Sequence, residues 1–341
     1  MKTRDFSYDL PAHLIAQHPL KDRTASRLMV VNRQNQTATP KQFTDLIDHL
    51  HAGDVLVFND SAVLPARLMG VKMTTGAVIE LLLLNEQAPN QWECLVKKAR
   101  KIDVGDEIIF GEHTLKATCL QVKDDGIRVF KLSYEGLFLE VLDRLGEMPL
   151  PPYIKTRLDD KTRYQTVYAK HPGSAAAPTA GLHFTHEYLE KIKAKGVIIA
   201  YVTMHIGLGT FRPVSVVDVK AHKMHEEWYA LNQENAKIIW RAKEEGRRVI
   251  AVGTTAMRTL ETIAKEHGEV KPQSGQSDLF IYPGFKFRVI DALFTNFHLP
   301  ESTLMMLVSA FASRELIFAS YRKAIDLSFR FFSFGDAMFI E

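Results

Sequence analysis

The sequence has little cysteine and no long hydrophobic run. Its 341 residues include two cysteines, Cys94 and Cys119, too few for a disulfide-stabilised scaffold, and both are expected on strands as small hydrophobic residues. The longest apolar runs, such as VIELLLL at 78–84, are far shorter than the roughly 20 residues that cross a membrane. Residues 1–19 contain no apolar stretch typical of a signal peptide. We therefore expect a cytoplasmic protein without a membrane partner.

Metal-binding and nucleotide-binding signatures are also missing. The sequence contains neither the Walker pattern nor HExxH or CxxC. The segment HKMHEEWY (222–229) has two histidines three residues apart and two glutamates, half of a possible metal site, but we identify no third ligand. We expect no metal, and we favour an acid–base or structural role for this segment.

The chain is long enough for two domains, and its pattern of predicted helices and strands changes after residue 60 and again after residue 151. Residues 1–60 and 152–341 alternate strands with helices, whereas residues 61–151 contain short alternating strands separated by turn residues. We predict an α/β fold in two sequence pieces, barrel-like or with a mainly parallel sheet, into which a small antiparallel β-barrel is inserted. The net charge of the chain is +3, which permits a nucleic-acid partner without requiring one. The range 62–150 holds 11 Lys/Arg and 13 Asp/Glu, a balance of −2, so the remainder of the chain carries +5.

The first α/β piece contains one helix candidate between two strands. RLMVVNR (27–33) and DVLVFND (54–60) are typical of buried strands. Thr39 and Pro40 suit the N-cap and first helical position of a helix over KQFTDLIDHL.

The segment VTMHIGLGTFRPV (202–214) places two glycines directly after a predicted strand. A dinucleotide-binding loop needs a third glycine three positions after Gly209, where Arg212 stands, so that interpretation is weak. Two alternatives stay open. The backbone N–H groups, with Thr210 and Arg212, contact a polar ligand, or the glycines form a tight turn with positive φ.

Two further loops, AAAPTAGLHFT (175–185) and AVGTTAMRTLE (251–261), are rich in small residues and precede predicted helices. FTNFHLPESTLMM (294–306) adds Asn296 and His298 before an apolar helix. Each loop can also be ordinary, with a histidine whose hydrogen bonds are satisfied. Because the carboxyl ends of parallel strands meet at one edge of a sheet, we expect the strand-end loops to converge in a site there.

Nine blocks of this sequence together resemble one family, the S-adenosylmethionine:tRNA ribosyltransferase-isomerases of queuosine biosynthesis. They run in order from residue 5 to 340 and are DFSYDLP, HPLKDRTASRLMVV, LVFNDSAVLPARL, AAPTAGLHFT, VTMHIGLGTFRPV, HKMHEEW, AVGTTAMRTLE, FIYPGFKFRVIDALFTNFHLPESTLMMLVSAFA and RFFSFGDAMFI. Phe329 and Phe334 stand where the family pattern leads us to expect tyrosine.

The resemblance implies an enzyme that acts on tRNA carrying 7-aminomethyl-7-deazaguanine at the wobble position. It would transfer and isomerise the ribosyl part of S-adenosylmethionine onto the aminomethyl group, releasing adenine and methionine and leaving epoxyqueuosine. The partners would be tRNA and S-adenosylmethionine, the latter a substrate, with no further cofactor and a monomeric protein. The implied fold is an α/β domain with an inserted β-barrel.

This chemistry selects candidate residues. A general base can remove a proton beside the sulfonium and an acid can assist adenine departure, roles that suit histidine near neutral pH. The candidate catalytic residues are His183, His205, His298 and, as an alternative base, Glu227. The candidate substrate-binding residues are Asn59, Asp60, Thr179, Gly181, Gly207, Gly209, Thr210, Arg212, Thr254, Arg258 and Asn296.

Two other functions are weighed against this one. An S-adenosylmethionine-dependent RNA methyltransferase would release S-adenosylhomocysteine and no adenine. A non-catalytic tRNA-binding protein would show salt-dependent binding without a product. The Thr, His and Glu residues at strand ends favour an enzyme.

Overall fold

The computed structural model describes residues 1–97, 99–124, 126–207 and 214–341. These residues form two compact units. The larger unit comprises Met1–Ala62, Pro152–His171 and Ala177–Glu341, and the smaller unit comprises Val63–Pro151 and Pro172–Ala176. The domain boundaries after residues 60 and 151 stay a prediction, because compactness alone does not establish that either part folds independently.

The regular elements are numbered in chain order. The strands are β1 (Arg27–Asn32), β2 (Thr37–Gln42), β3 (Val55–Asn59), β4 (Ser61–Val63), β5 (Arg67–Lys72), β6 (Val78–Ala88), β7 (Gln91–Lys97), β8 (Glu107–Phe110), β9 (Leu115–Val122), β10 (Ile127–Tyr134), β11 (His171–Ser174), β12 (Ile198–Met204), β13 (Glu227–Leu231), β14 (Val249–Val252), β15 (Gln273–Ser277), β16 (Ala292–Asn296) and β17 (Ala337–Ile340). The α-helices are α1 (Phe138–Leu145), α2 (His186–Ala194), α3 (Gln233–Glu244), α4 (Thr254–His267), α5 (Thr303–Phe311) and α6 (Arg314–Asp326).

The larger unit is built on a nine-stranded sheet in the order β15-β13-β12-β3-β14-β16-β17-β1-β2. The neighbours β12, β3, β14 and β16 are parallel, and β17 is parallel to β1. The remaining pairs, β15–β13, β13–β12, β16–β17 and β1–β2, are antiparallel. The predicted α/β class is therefore confirmed, with a mixed sheet whose centre is parallel.

Helices cover both faces of this sheet. The central strands are therefore buried on both sides, and their sequences are continuous apolar runs. All five residues of β3 are buried. Its Leu56 and Phe58 belong to a core with α2 and the 3-10 helix Phe43–His49, a side called here the α2 face. Its Val55 and Val57 belong to a second core with α3, α4, α5 and α6, called here the α4 face.

The helix predicted from Thr39 and Pro40 is wrong at its start. Both residues lie in β2, where Pro40 pairs with Met29 of β1, and the helix that follows is a 3-10 helix beginning at Phe43. Strand β2 forms the edge of the sheet, where the missing N–H of a proline interrupts no ladder. Pairing with β1 therefore outweighed the preference of Thr39 and Pro40 for the start of a helix.

The smaller unit contains a closed barrel of antiparallel strands in the order β10-β7-β6-β5-β8-β9, with β9 paired back to β10. The predicted inserted β-barrel is thus confirmed as a structure, and closure removes the unpaired edges that a small sheet would otherwise expose. Cys94 on β7 and Cys119 on β9 are free and buried, as expected for small hydrophobic residues.

Among the described residues, no single helix is long and apolar enough to cross a membrane; only α5 and α6 taken together, bent by 114°, meet the criteria of length and composition.

Candidate active site

The four parallel strands β12, β3, β14 and β16 lie side by side and end at the same edge of the sheet. Their last residues are Met204, Asn59, Val252 and Asn296. We call this the carboxyl edge. Three of the predicted loops, 202–214, 251–261 and 294–306, follow these strands, at the position where α/β folds bind ligands. The fourth, 175–185, follows β11 instead and reaches this edge through the contact of His183 with Asn296.

Side chains that follow one another along a strand point to opposite faces, and this alternation divides the predicted site. Asn296 contacts His183, whereas the preceding residue, Thr295, contacts Nε2 of His298 at 3.0 Å. His183 and His298 therefore lie on opposite faces of the sheet. The structure does not bring these two candidate bases together.

On the α2 face, His183 is buried between two polar partners. Its Nδ1 lies 2.7 Å from Oγ of Ser26, and its Nε2 lies 3.2 Å from Nδ2 of Asn296. The same amide nitrogen is 3.3 Å from the carbonyl oxygen of Phe332, which can only accept, so the orientation of the amide is set. Nε2 of His183 accordingly accepts, and its proton resides on Nδ1.

His183 is neutral in this environment. Burial, and to a smaller extent Arg23 and Arg330, lowers the pKa of His183 to about 3. Thr179 donates its hydroxyl to Oδ1 of Asn296 at 3.1 Å. The amide of Asn296 thus anchors both ends of the 3-10 helix Thr179–His183 to β16.

Gly181 lies in the middle of this short helix, and its lack of a side chain has a specific cause. A Cβ at this position would lie 1.9 Å from the hydroxyl oxygen of Tyr168 and 2.8 Å from Cγ2 of Thr166. The space that the missing side chain leaves is occupied by Tyr168 and Thr166, and a substrate contact of Gly181 stays a prediction.

Asn59, at the end of β3, uses its whole amide inside the protein. Its Nδ2 donates to the carbonyl of Met204 at 3.0 Å and to Oγ1 of Thr255 at 3.2 Å. Its Oδ1 accepts from the N–H groups of Met204 and Ser61 at 3.0 and 3.1 Å. This side chain joins β3, β12 and α4 and has no capacity left for a ligand.

Asp60 follows Asn59 and faces the opposite side. Its Oδ1 accepts from the Thr203 hydroxyl at 2.6 Å, and its Oδ2 lies 3.6 Å from Nε2 of His171. Burial raises the pKa of the Asp60 carboxyl. Sequence reasoning missed His171, because it lies in no recognisable motif and 111 residues from its partner.

His205 and Trp228 form a stacked pair beside these groups. Their ring centroids are 5.0 Å apart with an interplanar angle of 21°. Burial, with a smaller contribution from His171, lowers the pKa of His205 to about 4. His205 is therefore also neutral near pH 7.

A buried ion pair lies next to Gly207, shortly after the end of β12. Glu227 and Arg258 are each 4% exposed, and their carboxylate and guanidinium are in direct contact. The N–H of Gly207 donates to Oε1 of Glu227 at 3.1 Å. Nη2 of Arg258 is buried, and within the described part of the chain it has no hydrogen-bond partner.

The remaining predicted residues have the following positions. Thr254 is buried and begins α4 directly after Gly253, whose φ of +91° favours glycine. Gly207 does not have the positive φ that the tight-turn alternative predicts for it. Gly209, Thr210 and Arg212 lie outside the described residues, so for these three the two alternatives stay open.

The two phenylalanines that replace expected tyrosines are both buried. Phe329 lies under the Arg27 guanidinium, 4.1 Å from its centre, and Phe334 meets Tyr164 edge-on at 5.9 Å. Their rings contribute packing. In the described ranges, no cluster of three or more His, Cys, Asp or Glu side chains has the arrangement of a metal site.

The buried histidine of the α4 face leads to a prediction about pH. Burial lowers the pKa of His298 to about 3 from an ordinary value of 6.5. Between these values the unfolded chain binds a proton that the folded protein excludes, so stability is complete above pH 6.5 and is lost as the pH falls toward 3. We expect His298 to reduce the free energy of unfolding by about 1.4 kcal/mol per pH unit in this window.

Urea unfolding of the wild type and of His298→Gln, measured between pH 7 and pH 4.5, tests this expectation. Glutamine keeps a donor and an acceptor but does not titrate, so the free energy of unfolding of the variant should fall less steeply. Parallel pH dependences for the two proteins would contradict it.

Comparisons with known proteins agree with the resemblance carried by the sequence. A family model described as queuosine biosynthesis protein matches residues 3–340. A curated relative from Staphylococcus haemolyticus (strain JCSC1435), named S-adenosylmethionine:tRNA ribosyltransferase-isomerase, is 56% identical over 340 residues, which cover 100% of both chains. A crystal structure of S-adenosylmethionine tRNA ribosyltransferase from Thermotoga maritima is 41% identical with a TM-score of 0.58, and the match covers 99% of this chain and 100% of that one. The chain belongs to the queuosine biosynthesis protein family.

Proposed function

We propose that this chain is an S-adenosylmethionine:tRNA ribosyltransferase-isomerase. It transfers and isomerises the ribosyl part of S-adenosylmethionine onto 7-aminomethyl-7-deazaguanine at the tRNA wobble position, and it releases adenine and methionine. The observation that carries this proposal is the 56% identity across the full length of both chains. Neither the methyltransferase nor the non-catalytic tRNA-binding protein is supported by the comparisons.

The proposed proton-transfer groups are Asp60, His171 and His205. All three belong to the α2 side of the carboxyl edge, and half of the His171 side chain is exposed. His205 is neutral, as a base must be before it removes a proton. Burial makes the Asp60 carboxylate a stronger base than an exposed one, because its pKa is raised.

Three other candidates are proposed to act through their neighbours. His183 is held by Ser26 and Asn296 and positions the helix Thr179–His183. Asn59 positions the ends of β3 and β12. His298 stabilises the α4 face through its contact with Thr295.

Arg258 is proposed to bind an anionic part of the substrate. Its Nη1 is taken by Glu227, and its Nε donates to the carbonyl of Leu279 at 3.2 Å. Its Nη2, for which the described residues offer no hydrogen-bond partner, suits a carboxylate such as that of the methionine part of S-adenosylmethionine.

We further propose that the enzyme is a cytoplasmic monomer that uses S-adenosylmethionine as ribosyl donor without a metal. The cytoplasmic location is proposed because the substrate is tRNA. Enzymes that act on a nucleobase commonly turn that base out of its loop. Product analysis tests the reaction itself. Adenine and methionine should appear together and in equal amounts from S-adenosylmethionine and tRNA carrying the aminomethyl-deazaguanine; S-adenosylhomocysteine as the product would refute it.

The assigned roles predict different kinetics for two histidines. We expect His205→Ala to lower kcat by roughly 100-fold or more, because a group that transfers protons is lost. His298→Gln should leave kcat per folded molecule close to the wild-type value. Single-turnover measurements of adenine release, corrected for the folded fraction, distinguish the two. A larger loss of kcat in His298→Gln than in His205→Ala would reverse the assignment.

A further inference from the structure

Trp228 is an exposed aromatic residue on an otherwise buried stretch of strand. Its two neighbours in β13, Glu227 and Tyr229, are 4% and 1% exposed, whereas Trp228 is 38% exposed. Alternation along the strand explains the difference, because Glu227 faces α4 and Trp228 faces the opposite side. The proposed proton transfers involve Asp60, His171 and His205 and do not use this indole.

The indole is held rigidly from one side. It stacks on the imidazole of His205, and the N–H of His205 donates to the carbonyl oxygen of Trp228 at 2.9 Å. The adjacent register position pairs Met204 with Tyr229. Two neighbouring strands therefore fix both rings, so little side-chain entropy would be lost when a further ring stacks on the pair.

The stacked pair also lies beside the proposed proton-transfer groups. His205 directly follows β12, and the Thr203 hydroxyl of that strand holds Asp60 at 2.6 Å. The other carboxylate oxygen of Asp60 lies 3.6 Å from Nε2 of His171. A ring stacked here would lie at the carboxyl edge, near the groups that would transfer its protons.

We propose that Trp228, backed by His205, is a stacking surface for the purine-type ring of a substrate. The proposal rests on the proposed function, in which both substrates carry such a ring: adenine in S-adenosylmethionine and deazaguanine in the tRNA. Aromatic side chains hold bases by stacking and by excluding water, without regard to the pattern of hydrogen bonds. Stacking at this surface therefore fits the flat ring system of either substrate.

The chain provides a matched control. Trp240, on α3, is 39% exposed, almost the same fraction as Trp228, and lies within a helix away from the strand ends. Trp228→Ala, Trp228→Phe and Trp240→Ala are compared in steady-state adenine release, with each substrate varied in turn. Thermal unfolding of each variant confirms that the folded protein is being measured.

Trp228→Ala should raise the KM of one substrate by roughly tenfold or more, the size expected for one lost stacking contact. Trp228→Phe should recover most of the affinity, and Trp240→Ala should match the wild type. A selective rise in the KM for S-adenosylmethionine identifies adenine as the stacked ring; a selective rise for tRNA identifies the deazaguanine. Unchanged KM values for both substrates in Trp228→Ala would overturn the proposal.

A binding measurement separates this proposal from the reaction. Quenching of tryptophan fluorescence by S-adenosylmethionine and, separately, by the modified tRNA is recorded in a Trp240→Phe background, where the other tryptophans are Trp92 and Trp228. Quenching that disappears in Trp228→Phe supports stacking even if the wild type releases no adenine, a result that would refute the proposed function alone. Quenching that persists in Trp228→Phe, together with KM values that stay unchanged in Trp228→Ala, counts against the stacking surface alone.

Discussion

Replacing Arg258 with alanine is expected to lower the free energy of unfolding by about 3–5 kcal/mol, since it leaves a buried carboxylate without its cation. Glu227 and Arg258 are each 4% exposed, so water cannot take over the role of the guanidinium. Urea unfolding at pH 7 measures the loss.

Two comparisons make the test specific. Arg241 on α3 and Glu245, the residue that follows this helix, form an exposed ion pair with side chains 69% and 42% exposed, so Arg241→Ala should change stability far less than Arg258→Ala. The double variant Glu227→Gln/Arg258→Met removes both charges and should be more stable than Arg258→Ala. If Arg258→Ala and Arg241→Ala cost the same, the buried pair is not a stabilising contact.

Gly181→Ala is expected to damage both stability and activity. The new Cβ would lie 1.9 Å from the Tyr168 oxygen, so the helix Thr179–His183 must move. Overpacking of this kind costs about 1–3 kcal/mol. Because that helix is bonded to Asn296, a shift of about 1 Å at the carboxyl edge should also lower kcat by roughly 100-fold.

The clash can also be relieved by a second substitution, at Tyr168. Tyr168→Phe removes the hydroxyl, which has no hydrogen-bond partner within the described ranges and is therefore dispensable. The nearest atoms in Gly181→Ala/Tyr168→Phe are then carbons at 2.8 and 2.9 Å, so we expect partial recovery of both stability and kcat. Stability and kcat no better in the double variant than in Gly181→Ala would mean that the hydroxyl is not the obstacle.

The elements that sequence patterns predicted well are those with local causes. The helices expected after residues 175–185 and within 294–306 begin where the side-chain oxygens of Thr185 and Ser302 cap them. The alternation of side chains every two residues likewise marks the strands of the barrel. The convergence of strand-end loops followed from the parallel order alone. Pro40 shows the limit of such cues, because its surroundings depend on pairing with β1, which the local sequence does not encode.

The candidate site was harder to predict because a shift of one residue changes the face of the sheet. Thr295 and Asn296 are neighbours in sequence, yet they serve histidines on opposite sides. His171 reaches Asp60 only through the folded chain. Glu227, considered for a metal or a base, is instead engaged by Arg258. The residue types in the sequence indicated that the site lies at the carboxyl edge. Which side chains meet there depends on the register between strands that are far apart in the sequence.

The position of β17 has a consequence for folding during synthesis. Strand β17 (Ala337–Ile340) lies between β16 and β1, so the early hairpin β1–β2 joins the sheet only through the last strand of the chain. At about 5–20 residues per second, the ribosome leaves that hairpin waiting for roughly 15–60 s. We expect the apolar strand β1 to lack its partner β17 for that time, which would raise the risk of aggregation before the sheet is complete.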